Sequence, residues 1–395
     1  MVKNIHKESF LTLLKINKRF ITVVISIILL NIILFSGYFF ISNKSTSTGV
    51  SKVSAYSQEI QGIKETKVTK VRDQLYRQLI ERVGPTLAQE ELLHSGIPFD
   101  GEAHLLNHTV GDWLYTEYDA KGMIYCKDYF LSSCYHGFLI RSIAEHGMGQ
   151  LSEIMGECYK VSVATATQCA HAIGHGLLAW REYKNLPQAL ADCDTVATLV
   201  ENFTAYNCYD GAFMENNWAV HTNGKPSPDR WIDLKDPSYP CYDDRIAEKY
   251  RKACWSNQPQ MAYKDIFKGD LTQAGQLCTT VENEEYKATC FDSVARQMTP
   301  LVGNDKNKVV LYCDKMPVGW KSLCVISIAN SFYSMGDRIF PFELCRILPD
   351  DAPQACYEIL QHQFTSYPLE IIEKRSMCSK IPEEYKIEVC QAMAQ

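Results

Sequence analysis

Several common chemistries are missing from this sequence. Its 395 residues contain no Gly-rich phosphate loop, no G-x-S-x-G elbow and no haem-attachment motif. That removes the usual nucleotide-binding, serine-hydrolase and c-type haem readings. No C-x-x-C occurs although there are 16 cysteines, and structural zinc sites favour cysteines about two to four residues apart. Charge of one sign is scarce as well. The formal net charge is -6 and no basic stripe or tail is present to neutralise phosphates, which argues against nucleic acid as a partner. Apolar residues are plentiful, 46% against 22% charged, enough for a large core.

The longest uncharged run, Phe20 to Ile41, holds 22 residues. At ~1.5 Å rise per residue it spans a hydrocarbon core of roughly 30 Å as a helix. Lys3, Lys7, Lys15, Lys18 and Arg19 precede it against Glu8 alone, whereas Lys44, Lys52 and Glu59 follow it. The positive-inside rule predicts a cytoplasmic basic tail over 1–19, a transmembrane signal anchor over 20–41 and an extracytoplasmic remainder. This is a single-pass cell-membrane topology. A cleaved signal peptide ending near Val53-Ser54-Ala55 is the competing reading, although the run exceeds the ~7 to 15 apolar residues of a signal peptide. Both readings place the later residues in an oxidising compartment. Residues 42–57, rich in Ser, Thr and Lys, read as a flexible stem. Over 58–98, Ile63, Val68, Val71, Leu75, Leu79 and Val83 recur at helical spacing, and Pro85 with Gly96-Ile97-Pro98 frames one more short helix. This helical stalk has two open destinations, the body or a neighbouring chain.

The cysteines define a repeat. They fall as Cys126 and Cys134, Cys158 and Cys169, Cys193 and Cys208, Cys241 and Cys254, Cys278 and Cys290, Cys313 and Cys324, Cys345 and Cys356, and Cys378 and Cys390. Separations of 8 to 15 residues alternate with separations of 21 to 33, and the first members recur every 32 to 48 residues. Three units share a phrase, seen in Cys313-Asp314-Lys315-Met316-Pro317, Cys345-Arg346-Ile347-Leu348-Pro349 and Cys378-Ser379-Lys380-Ile381-Pro382. Proline there ends a helix or opens the turn to the next. The second cysteine begins a new apolar-periodic run, as in Cys324-Val325-Ile326-Ser327-Ile328. Each unit thus reads as helix, turn, helix. Its two cysteines face each other across the hairpin, where Cα atoms ~5.5 Å apart can be bridged. Zinc competes for the same thiols, but with the domain exported a disulfide in each hairpin is the favoured use.

A period near 35, two helices per unit and one cysteine pair per hairpin make Cys126 to Gln395 resemble the secreted cysteine-rich relatives of the Sel1 and TPR repeat proteins. The resemblance implies a right-handed superhelical solenoid whose concave face binds peptides, proteins or glycans. The expected fold is therefore all-α: a transmembrane helix, a helical stalk and an α/α-hairpin solenoid with one disulfide per hairpin. Within it, 99–220 are His-rich N-terminal repeats and 221–395 are disulfide-stapled C-terminal repeats. The chain departs from the Sel1 pattern in its histidines and in the longer insert between Cys208 and Cys241.

Six of the ten histidines lie between 104 and 175. His104-x3-His108-x4-Trp113 matches His171-x3-His175-x4-Trp180. His136 and Asp210 stand two residues after Cys134 and Cys208, as His171 does after Cys169. This alignment predicts one structural position shared by His104, His136, His171 and Asp210. Residues i and i+4 share a helix face and packed helices lie ~8 to 10 Å apart, so these rings can converge on one ion. The expected ligands are His104, His108, His136, His171, His175 and Glu215, holding a transition metal, with zinc, iron, copper and manganese all open. The zincin glutamate after the first histidine is absent, so a catalytic base would come from Asp112, Asp210 or Glu215. Buried histidines often serve only as hydrogen-bonding core residues. Here, however, the later repeats keep the scaffold with Ser256, Asp292, Ile326 and Glu358 at the matching position. The alternative function is a membrane-tethered scaffold that binds an extracytoplasmic protein, peptide or polysaccharide. Asn43-Lys44-Ser45, Asn107-His108-Thr109 and Asn202-Phe203-Thr204 match the glycosylation triplet.

Overall fold

The architecture follows from short helices that each bury one stripe. A computed structural model describes residues 56–66, 69–95, 101–218, 229–335, 337, 339–349, 352–366 and 371–391. The basic tail, the transmembrane run and all but the last two residues of the stem lie outside the described residues. Among those described there is no strand, and no helix is long and apolar enough to cross a membrane.

Three helices open the described part: α1 Ser57–Glu65, α2 Thr69–Val83 and α3 Pro85–Leu93. They belong to the same compact unit as the rest, and α2 and α3 pack on α4, Gly101–Tyr118. Arg77 of α2 ion-pairs with Asp112 of α4, and Gln89 of α3 bonds the Tyr125 carbonyl and the Lys127 amide. The stalk therefore joins the body. Its buried face keeps Ile63 and Leu79 of the expected stripe and adds Tyr76 and Ile80, whereas Val71 and Leu75 are 45% and 37% exposed. Tyr76, Leu79 and Ile80 stand three and four residues apart on one face of α2, and that face, rather than the edge carrying Val71 and Leu75, is the one buried.

Next come α5 Ser133–His146, α6 Leu151–Val161, α7 Val163–Trp180, α8 Leu186–Leu199, α9 Ala205–Trp218 and α10 Glu248–Met261. After them stand α11 Leu271–Thr279, α12 Glu284–Val302, α13 Lys306–Cys313 and α14 Lys321–Ser334. The chain closes with α15 Phe340–Cys345, α16 Ala352–Ser366, α17 Ile371–Cys378 and α18 Glu388–Gln391. Polar residues start many of them. Ser162 caps α7, Asn185 caps α8, Asp270 caps α11, Asn283 caps α12 and Asp305 caps α13, each accepting from an otherwise orphaned backbone N–H.

Eight disulfides join the sixteen cysteines within units, with Cα–Cα distances from 5.4 Å for Cys378–Cys390 to 6.6 Å for Cys158–Cys169. No cysteine is free. Six units are helical on both sides of their disulfide. In the other two the first helix is replaced, by the 3-10 helix Asp119–Tyr125 before Cys126 and by a chain of turns around Cys241. The second helices form a continuous row in which α4, α5, α7, α9, α10, α12, α14 and α16 each pack on the next. A helical, disulfide-stapled hairpin repeat is thus established.

Candidate metal centre

The histidine cluster is built by helices that approach closely. On α5, a Cβ at Gly137 would stand 2.0 Å from the His108 carbonyl, and on α9 a Cβ at Gly211 would stand 1.9 Å from the His171 carbonyl. Reciprocally, Gly111 faces the Cys134 carbonyl and Gly174 the Cys208 carbonyl, each at 2.0 Å from the would-be Cβ. Only glycine fits at such contacts. The four approaches superpose the pair α4/α5 on the pair α7/α9, carrying Gly111 onto Gly174, His108 onto His171, Cys134 onto Cys208 and Gly137 onto Gly211. His136 then lies on Asp210, and His104 on Thr167. The shared position is therefore held by His108, His136, His171 and Asp210, one helical turn away from the match by spacing that chose His104. Because i and i+4 occupy one face, a spacing match slips a full turn without changing face, and only contact between helices settles it.

His136 occupies the middle. Its ring centroid lies 5.3 Å from that of His104, 5.4 Å from His108, 5.4 Å from His171 and 4.6 Å from His175. The candidate ligand atoms form two groups, His104 with His108 and His136, and His136 with His171 and His175, each within 4.8 Å of one another. His136 is 2% exposed, and neither its Nδ1 nor its Nε2 has a hydrogen-bond partner. Burial first, then the surrounding imidazoles, lowers its pKa well below the usual histidine value, so the ring is neutral.

The outer rings are oriented by acceptors. His104 Nδ1 lies 2.7 Å from the Phe130 carbonyl oxygen, His171 Nδ1 3.2 Å from Asp210 Oδ2 and His175 Nδ1 2.8 Å from Glu215 Oε2. A carbonyl or a carboxylate only accepts, so each of these rings carries its proton on Nδ1 and, when neutral, presents a lone pair at Nε2. Those nitrogens turn towards one another: His171 Nε2 is 3.0 Å from His175 Nε2, and His104 Nε2 is 2.9 Å from His108 Nε2. With both rings neutral their lone pairs face across 3.0 Å, a repulsion that a proton or a metal ion shared between them relieves. For two nitrogens bound ~2.0–2.1 Å from one ion at angles near 90–110°, the separation is roughly 2.9–3.4 Å.

The second layer is itself anchored. Glu215 is fully buried and accepts the Tyr183 hydroxyl at 2.7 Å, while burial and that carboxylate push the Tyr183 phenol up, keeping it protonated. Burial pushes the Asp210 carboxyl up, but the hydrogen bond from His171 and the charges of His171 and Arg296 outweigh this and hold it below the ordinary range. Both Phe130 (φ 52°) and Tyr183 (φ 63°) lie on left-handed backbone, as do Leu131, Ser132 and Glu182 beside them. Non-glycine residues adopt that region at a cost, and such strain gathers where a group must be aimed.

Asp112 is placed elsewhere, ion-paired with Arg77 and 3.8 Å from Arg141. His146 is also outside the cluster and bonds the Tyr115 hydroxyl. Beyond Asp210 the row opens into a cleft of about 500 Å³ lined by Tyr206, Asp210, Lys252, Ser256, Asp292 and Arg296. Asp210 belongs to both, since it lines the cleft and its Oδ2 faces His171 Nδ1 at 3.2 Å. The sequence pattern by itself did not point to this cleft. The available signal was the residue two after each cysteine, because Ser256 and Asp292 continue that series past the histidines. No family model, no characterised protein and no solved structure matches the chain. Fold and site together define an all-α, disulfide-stapled hairpin-repeat protein carrying histidine groups able to hold a metal ion.

Proposed function

We propose that this chain is a membrane-anchored, extracytoplasmic metalloprotein whose histidine cluster binds a transition metal. The observation that carries the reading is the convergence of four imidazoles around His136, with the Nε2 atoms of His171 and His175 turned towards one another at 3.0 Å. A purely structural histidine spends its nitrogens on protein partners, whereas both nitrogens of His136 meet none. Three imidazoles per ion suit zinc, copper or iron better than manganese, and leave a further position for water or substrate. Asp210 and Glu215 act as acceptors that fix the ring tautomers and raise ligand basicity. The anchor reading is supported by the uncharged run Phe20 to Ile41 with its basic flank. Export is supported by eight disulfides with no free thiol. The cleft beside Asp210 favours the scaffold reading as the alternative.

The test is elemental analysis of protein purified without chelator, together with melting temperatures with and without EDTA for the parent, His171→Ala and the exposed His362→Ala. Bound metal, a fall in Tm on EDTA treatment, a smaller response in His171→Ala and its full retention in His362→Ala are expected. A parent free of transition metal, with a Tm indifferent to EDTA, ends the metal reading.

A further inference from the structure

The geometry points to two metal ions rather than one, with His136 bridging them through both ring nitrogens as an imidazolate. This rests on the metal reading above and adds the nuclearity of the site and the role of its central residue. The two ligand groups have His136 alone in common. In the row of helices α5 lies between α4 and α7, so His136 stands between His104 and His108 on one side and His171 and His175 on the other.

An imidazole carries its two nitrogens on different edges of the ring, and one ion takes only one of them. A single ion at either group would leave the other His136 nitrogen, with its proton, sealed in the core without an acceptor. Such an orphan carries the full desolvation penalty of a buried donor without an acceptor. Two ions satisfy both nitrogens. The outer rings are arranged otherwise, since His104, His171 and His175 each commit Nδ1 to an acceptor and so serve as terminal ligands through Nε2. Three nitrogens bound ~2.1 Å from one ion lie roughly 3.4–3.6 Å apart, so groups within 4.8 Å need each nitrogen to shift by roughly 0.7 Å at most. When the second ion binds, the remaining His136 ring proton leaves to solvent, and the imidazolate charge joins Asp210 and Glu215 in offsetting the added positive charge. No electron transfer is involved.

The test uses the full chain, stripped by chelator and reloaded with Cu²⁺ alone. Two coppers per chain are expected. At low temperature their paramagnetic resonance signal should integrate to a small fraction of the bound copper, because an imidazolate bridge couples the two spins antiferromagnetically. His104→Ala should hold one copper whose signal accounts for all of it. One copper per parent chain would overturn the bridge and leave the mononuclear metal reading standing. Two coppers with full, uncoupled signal would overturn it as well. No bound copper, with no zinc or iron in the protein as isolated, would remove both readings. Should His104→Ala fail to fold, as judged by far-ultraviolet circular dichroism, the count and the spin integral of the parent decide alone.

Discussion

Asp194 on α8 accepts hydrogen bonds from three groups on two other helices: the Tyr209 hydroxyl of α9, and the Tyr250 hydroxyl and Lys249 Nζ of α10, the last at 2.7 Å. Burial raises its pKa, but these donors outweigh burial and hold the carboxyl below its ordinary value. A carboxylate depressed in the folded state contributes stability above its unfolded pKa of ~3.9, and that contribution is lost as pH falls through the folded value. Asp194→Asn should therefore lower the Tm at pH 7 and shrink the further drop between pH 7 and pH 3. Melting curves of parent and variant at both pH values check this, and an identical acid drop in the two would refute it. His136 makes the opposite use of burial, since it has no donor or acceptor to offset its desolvation.

At the scale of elements, the close crossings of α4 with α5 and of α7 with α9 do the positioning. Gly211→Ala drives a Cβ into the His171 carbonyl. Because the obstacle is backbone, the two helices must separate, at a cost of about 1–3 kcal/mol. His171 moves with its helix, so metal content should fall together with Tm. Gly156, in the exposed middle of α6, has nothing within 4 Å of its would-be Cβ. Gly156→Ala should raise stability by about 0.5–1 kcal/mol through helix propensity, with metal content unchanged. Thermal melts and metal analysis of the pair test the assignment. Equal effects at the two glycines would show that helix approach does not control the site.

Across the whole molecule, each second helix packs on its neighbours in the row, so stability is close to a sum of units and interfaces. The Cys345–Cys356 bridge closes an 11-residue separation, worth ~3 kcal/mol in the chain-entropy account. Replacing both with serine should accelerate amide hydrogen exchange in α15, α16 and adjoining helices. Protection in α5 and α7, and the metal content, should be retained. Uniform loss of protection through all helices would mean that the row melts as one cooperative block.

What was legible in the sequence was whatever the chain imposes locally. Helix period, caps and the pairing of cysteines 8 to 15 residues apart depend on neighbours along the chain, so the hairpins and their staples could be read before any fold was known. Two hairpins lacked a true first helix, because the turns before Cys126 and around Cys241 are stabilised by packing that spacing does not register. The histidine residue types were legible too, but their relation was not. His108 rather than His104 aligns with His171, and that was decided by a glycine on one helix admitting a carbonyl from another. The centrality of His136, the tautomers set by Phe130, Asp210 and Glu215, and the docking of the stalk on α4 likewise rest on contacts 26 to 40 residues apart in sequence. Helical periodicity places a side chain on a face. Only the packing of one helix on another fixes its height on that face, and metal chemistry is sensitive to a single turn.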